Sequence, residues 1–140
     1  MLKGIPKIIS PDLMKVLMEM GHGDEIVLAD GNFPAASHAR QLINAHGHGT
    51  EEILEAILEL FPLDTYVDSP VILMETVEGD SNPVIWDSYV EIVNSTSESR
   101  VNIEKIERFE FYSRSCNAYA IVATSEPSPY ANIILKKGVL

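Results

Sequence analysis

The chain is short of cysteine, of cationic side chains and of long apolar runs, and each shortage closes off a class of protein. Cys116 is the only cysteine, so no intramolecular disulfide forms, which fits a reducing compartment. As a lone thiol it reads as a small buried apolar filler. Ten lysines and arginines face 21 aspartates and glutamates, a formal charge of -11. That balance repels polyphosphates and anionic headgroups, which argues against nucleic acid or a membrane surface as partner and favours a neutral ligand. The one basic cluster, Lys136 and Lys137, is too short to reverse the argument and reads as solvated charge. The longest apolar stretches, such as Ile133–Leu135 and Val71–Met74, fall far below the roughly 18 residues needed to span a bilayer. Lys3, Gly4, Pro6, Lys7 and Ser10 interrupt the amino-terminal segment, which gives no signal-like run and makes the cytoplasm the expected location. A Gly-rich phosphate loop, a Ser-centred nucleophile elbow and a dinucleotide fingerprint are all missing, so nucleotide-dependent and acyl-enzyme chemistry lack support.

What is present is ordinary globular material: 46% hydrophobic and 22% charged residues in 140, enough for one core and a single domain over residues 1–140. Ser10-Pro11-Asp12 opens a helix with a capping hydroxyl, a proline at the first helical position and an acid near the positive dipole end. Leu13, Val16, Leu17 and Met20 give it one apolar face, and Gly21 stops it. Ile26–Ala29 reads as a buried strand with Asp30 at its end. A second helix runs from about Glu51 to Phe61, capped by Thr50 and ended by Pro62. Val71–Val77 is expected as a strand, Pro83 to about Asn94 as a helix, and Ala118–Thr124 and Ile133–Leu135 as strands. Arg108–Ser115 fits both periods and is taken as a helix. Alternation of strands and helices without internal repeats implies an α/β fold, a β-sheet core covered by helices on both faces.

Several polar groups stand out as chemistry-bearing. In Gly21-His22-Gly23-Asp24 an imidazole sits between two glycines after a helix and before a strand. Flanking glycines leave room for a ligand at the ring, and an ordinary histidine pKa of about 6.5 suits proton transfer in both directions near neutrality. An exposed turn histidine capping the helix is the competing reading. Asp30, followed by Phe33-Pro34, lies where α/β proteins place ligand groups, although an aspartate before Gly31 also makes turns. Tyr130-Ala131-Asn132 presents a phenol and an amide two residues apart, which in extended chain point to one side. A sugar can stack on the ring and hydrogen-bond the amide, while a core-plus-turn role explains the pair equally well. Arg108, among Ile106, Glu107 and Phe109, is a cation that needs a partner, with a neighbouring glutamate the plain choice. His46-Gly47-His48 lacks a third ligand at metal-binding spacing and reads as a polar turn between a strand and a helix; His38 reads as a surface-loop residue.

Taken together, these segments resemble the L-fucose mutarotase family, which is related to D-ribose pyranase. The resemblance runs through Leu2-Lys3-Gly4-Ile5-Pro6, Ser10-Pro11, Met20 to Ile26, Ala29-Asp30 and Phe33-Pro34-Ala35. It continues through Pro62-Leu63-Asp64-Thr65-Tyr66, Arg108 to Tyr112 with Arg114, Ala120 to Thr124, and Tyr130 to Val139. It implies a ribose pyranase/fucose mutarotase-like α/β domain in which His22 is the catalytic residue and Asp30, Arg108, Tyr130 and Asn132 contact the sugar. It also implies no cofactor and no metal, a small neutral monosaccharide such as L-fucose as substrate, and a ring-shaped homo-oligomer, typically a decamer, with sites between subunits. Ala131 departs from the glycine many relatives carry there, and His38, His46 and His48 lie in a region, 36–49, that does not follow the family pattern. Pyranase activity on D-ribose and non-catalytic sugar binding are the alternatives.

Overall fold

A computed structural model describes residues 1–140. Ser10 caps the first helix, α1 (Pro11–Glu19), its hydroxyl accepting from the Leu13 amide at 3.1 Å. Strand β1 (Glu25–Ala29) follows, then the one-turn helix α2 (Ala35–His38), β2 (Leu42–Ala45), α3 (Thr50–Leu58) and β3 (Val71–Met74). The chain continues through α4 (Ile85–Ser95), β4 (Ile103–Ile106), α5 (Arg108–Asn117), β5 (Ala120–Thr124) and β6 (Ile133–Lys136). One six-stranded sheet results, in the order β2-β5-β1-β6-β3-β4. Only β6 runs against its neighbours, antiparallel to both β1 and β3.

Helices cover both faces, as expected of strands that are apolar on both sides. On one face Leu13, Val16 and Leu17 of α1, Ile53 and Ile57 of α3 and Trp86 and Tyr89 of α4 pack on Ile26, Leu28, Ile133 and Leu135. The other face is thinner: Phe33, Ala35 and Phe111 cover Val27, Ala29, Ile72, Ile121 and Ile134. Burying a leucine or isoleucine side chain contributes about 1.5–3 kcal/mol, so the first face holds most of the stability.

The structure corrects several expectations. Strands β2 and β4 gave no clear pattern because they are the sheet edges: Ile43 and Ile106 are their only buried residues. Strand β3 stops at Met74 rather than Val77, since Glu75 and Thr76 leave the ladder after Glu75 N–H donates to Ile106 O. Thr50 is not the α3 cap. Gly49 holds that position, its amide donating to Glu52, while Thr50 turns inward and is buried. Nor does Gly21 end α1 through a left-handed residue; Met20 leaves in an extended conformation. Cys116 is exposed rather than a buried filler, lying on the outer side of α5. Lys136 and Lys137 are paired rather than merely solvated: Lys136 is 3.3 Å from Glu25, and Lys137 donates to Met20 O at 2.6 Å. His38 closes α2 and packs edge-on against Phe33 and tilted against Tyr112 instead of lying free in a loop.

Candidate functional site

The turn bearing His22 is fixed by backbone bonds that leave its side chain free. Gly23 has φ +85°, a left-handed conformation that suits glycine. Its amide donates to Lys137 O, Lys137 N–H donates to Asp24 O, and the Asp24 carboxylate accepts from Gly21 N–H at 2.7 Å. The turn is thereby stitched to the end of β6. His22 projects from it with 46% of its side chain exposed, and its Nε2 lies 3.1 Å from Oδ1 of Asp64. Asp64 is buried in the α3–β3 connection and also accepts from the Tyr66 amide at 3.0 Å. That amide bond, with His22 and Lys136 nearby, outweighs burial and holds the Asp64 carboxyl below the usual aspartate range. The Tyr66 ring stands 5.5 Å from the His22 ring, centroid to centroid.

Asp30, Asn132, Tyr130 and Arg108 gather at the opposite end of the strands, where β1 and β4 finish and β6 begins. Asn132, at the start of β6, faces the end of β1 and is committed at both ends of its amide: Oδ1 accepts from Asp30 N–H at 2.8 Å and Nδ2 donates to Asp30 Oδ2 at 3.1 Å. Both residues are buried, and burial pushes the Asp30 carboxyl up despite the hydrogen bonds it accepts from Asn32 and Asn132. Tyr130 adopts φ +55°, so it is not in the extended chain that would put it on one side with Asn132. A left-handed tyrosine is uncommon and needs external support. Two side chains of α4 supply it: Trp86 Nε1 donates to Tyr130 O at 2.9 Å, and the Tyr89 hydroxyl donates to Ala131 O at 2.7 Å. Behind Tyr89 stand Thr50 and the buried Glu126, whose carboxylate accepts from the amides of Thr50 and Ser128. Burial opposes the charge on Glu126, but these bonds prevail and hold its carboxyl low. The Tyr130 hydroxyl donates to Asp80, and this partner raises the phenol pKa. Arg108 has no carboxylate partner; its guanidinium lies over the Phe109 ring, 4.6 Å from the centroid.

The five residues singled out from the sequence therefore fall into two groups. Strand β1 separates His22 from Asp30, and its five residues at about 3.3 Å each hold the groups roughly 17 Å apart. No side chain bridges that gap within one chain. Asp64, Asp80, Trp86, Tyr89 and Glu126 had not been assigned roles, and Thr50 only that of a helix cap. Only Asp64 lay in a quoted motif, Pro62 to Tyr66, and its partner His22 is 42 residues away. Two sizeable grooves of the chain leave Asp30, Tyr130 and Asn132 outside their linings. One, of about 630 Å³, lies between α3 and α4; the other, of about 740 Å³, runs beside Asp64, Pro70 and Val101.

Fold and site together define a class: an α/β chain with a carboxylate-supported imidazole at one end of the sheet's strands and a buried aspartate–asparagine pair, a phenol and a guanidinium at the other. The chain belongs to the RbsD / FucU transport protein family, whose model it matches over residues 3–140. It is 49% identical over 140 residues to the L-fucose mutarotase of Haemophilus influenzae, covering 99% of this chain and 97% of that one. The L-fucose mutarotase of Actinobacillus pleuropneumoniae is 48% identical over the same shares. Among solved structures, the fucose mutarotase of Streptococcus pneumoniae, in complex with L-fucose, superposes with a TM-score of 0.96 at 56% identity and 99% coverage of both chains. RbsD of Bacillus subtilis, complexed with D-ribose, gives 0.76 at 25% identity, covering 100% of this chain and 99% of that one.

Proposed function

We propose that this chain is an isomerase that interconverts the α and β anomers of L-fucose, with His22 exchanging protons with the sugar. Removal of the anomeric hydroxyl proton and protonation of the ring oxygen open the hemiacetal to the aldehyde; rotation and reclosure on the other carbonyl face give the second anomer. Protons balance over the cycle, so neither cofactor nor metal is required. General acid–base catalysis of this kind contributes roughly a hundred- to ten-thousand-fold. Asp30, Asn132, Tyr130 and Arg108 hold the hydroxyls. Phe33 and Tyr112, 5.5 Å apart by ring centroid, offer apolar surface for the deoxy methyl group.

The observation that carries this reading is the division of the site between the two ends of β1. A complete site then takes His22 from one subunit and the sugar-holding group from another, which supports a closed homo-oligomer such as a decameric ring. The chain has no helix long and apolar enough to cross a membrane, in keeping with work in the cytoplasm on a free monosaccharide.

Exchange NMR on equilibrating sugars tests the activity: faster anomer exchange with L-fucose supports it, whereas ring-size exchange with D-ribose alone favours a pyranase, the reading suggested by the RbsD likeness. Sharing is tested by co-assembling His22→Ala with Asp30→Asn chains. Random mixing rebuilds about a quarter of the sites if each draws on two subunits, so activity returns from two inactive variants. If the mixture stays inactive although the subunits have mixed, the shared site is refuted.

A further inference from the structure

The geometry points to Asp64 as the positioning residue of the reaction: its carboxylate holds the His22 imidazole with the proton on Nε2, so that Nδ1 is the atom that exchanges protons with the sugar. The inference rests on the proposed role of His22 and extends it to an atom and a partner.

Three observations converge on it. First, Asp64 Oδ1 is 3.1 Å from His22 Nε2, whereas His22 Nδ1 makes no hydrogen bond within the chain. An ionised carboxylate accepts only, so the imidazole nitrogen facing it donates, and in the neutral ring the other nitrogen carries the free lone pair. The lowered Asp64 pKa keeps that carboxylate ionised through the neutral range. Second, burial differs sharply across the pair. The Asp64 side chain is 3% exposed and that of His22 is 46% exposed. A sugar can reach the histidine but not the aspartate, which separates the group that touches substrate from the group that aims it.

Third, Asp64 is itself held from three directions. Its amide donates to Lys136 O at 3.0 Å, its Oδ1 accepts from Tyr66 N–H, and its Cα lies so close to Gly138 that a methyl added there would meet it at 2.8 Å. A carboxylate needed only to cap the Tyr66 turn would have no reason to meet an exposed imidazole 42 residues away. Once the ring has taken a proton at Nδ1, the same carboxylate faces an imidazolium and stabilises it until Nδ1 gives that proton to the sugar ring oxygen.

The test reads the tautomer and the kinetics separately. Histidine-selective ¹⁵N NMR of the assembled wild-type enzyme should show the neutral His22 ring protonated at Nε2. In Asp64→Ala that preference should relax, with the exchange turnover falling roughly tenfold to a hundredfold, part of what acid–base catalysis supplies, and KM for fucose changing less than twofold. Asp64→Asn keeps the acceptor for Tyr66 and guards against misfolding of the alanine variant; it should lose turnover without losing assembly. A proton found on Nδ1 in the wild type overturns the inference, as does full turnover in a folded Asp64 variant. Because the tautomer is read without turnover, a His22→Ala enzyme that stays active would sink the proposed reaction while leaving the dyad itself measurable.

Discussion

Two buried aspartates, Asp30 and Asp64, belong to the two halves of the site, and their surroundings push them in opposite directions. Asp30 sits at the carboxyl end of β1, where burial dominates and raises its pKa. Asp64 sits beyond α3, where the Tyr66 amide and His22 outweigh burial and lower it. One sequence thus places two chemically identical side chains in different surroundings: one is desolvated beside the Asn132 amide, the other is held low beside an imidazole. Burial alone does not set the acidity of a carboxyl; the donors that burial brings within reach decide the sign.

The sharpest way to break this contrast is His22→Ala, which should abolish acceleration of anomer exchange, a loss of roughly a hundred- to ten-thousand-fold. Fucose exchange NMR on the assembled variant checks it, and wild-type exchange would mean that another group moves the proton. Next in size is Asn132→Ala at the other end. It strands Asp30 N–H and removes a donor from the Asp30 carboxylate, so fucose affinity should fall about ten- to a hundredfold, measured by calorimetry. Tyr130→Phe, which loses the Asp80 bond but keeps the ring, should cost less, and unchanged affinity in both variants would remove these residues from the pocket.

Gly138→Ala sharpens the comparison from a distance. The added methyl would meet Leu63 O at 2.5 Å and Asp64 Cα at 2.8 Å, forcing the backbone that carries Asp64 to shift. Overpacking of this kind costs about 1–3 kcal/mol, read as a lowered melting temperature. The Asp30 half of the site should retain its sugar affinity better than the His22 half retains turnover.

The smallest effects are in the pH dependence of stability. Asp64, with its folded pKa below the unfolded value of about 3.9, contributes stability that is present above that value and lost as pH falls through the folded pKa. Asp30 has the opposite sign: its folded pKa is raised, so its contribution falls as pH climbs from about 3.9 through the folded value. Melting of Asp30→Asn relative to wild type should therefore improve as pH rises above about 4. Melting of Asp64→Asn relative to wild type should worsen as pH rises toward about 4. Parallel curves for the two variants would show that their environments do not differ as described.

Legibility followed the strength of the local signal. The Ser10 cap and the apolar faces of α1 and α3 were readable because helix-period burial repeats within a few residues. Strands β1 and β5 were readable because Ile26–Ala29 and Ala120–Thr124 are buried throughout. The edge strands β2 and β4 were not, since half-exposed strands of four residues have little pattern to show. Arg108 illustrates a different failure: its neighbours in sequence suggested a cation paired with a nearby glutamate, yet it opens α5 at the surface and rests on Phe109.

By itself the sequence determined the elements of strong period, the glycine-flanked imidazole and the family pattern that joins His22 to Asp30, Arg108, Tyr130 and Asn132. Only the tertiary structure decided that these residues divide between the two ends of β1, that Asp64 stands behind His22, and that Trp86 and Tyr89 hold the Tyr130 turn. The reason is range. Propensity and periodicity act over a few neighbours, whereas contacts spanning 42, 44 and 102 residues exist only once the strand order has brought distant segments to the same end of the sheet.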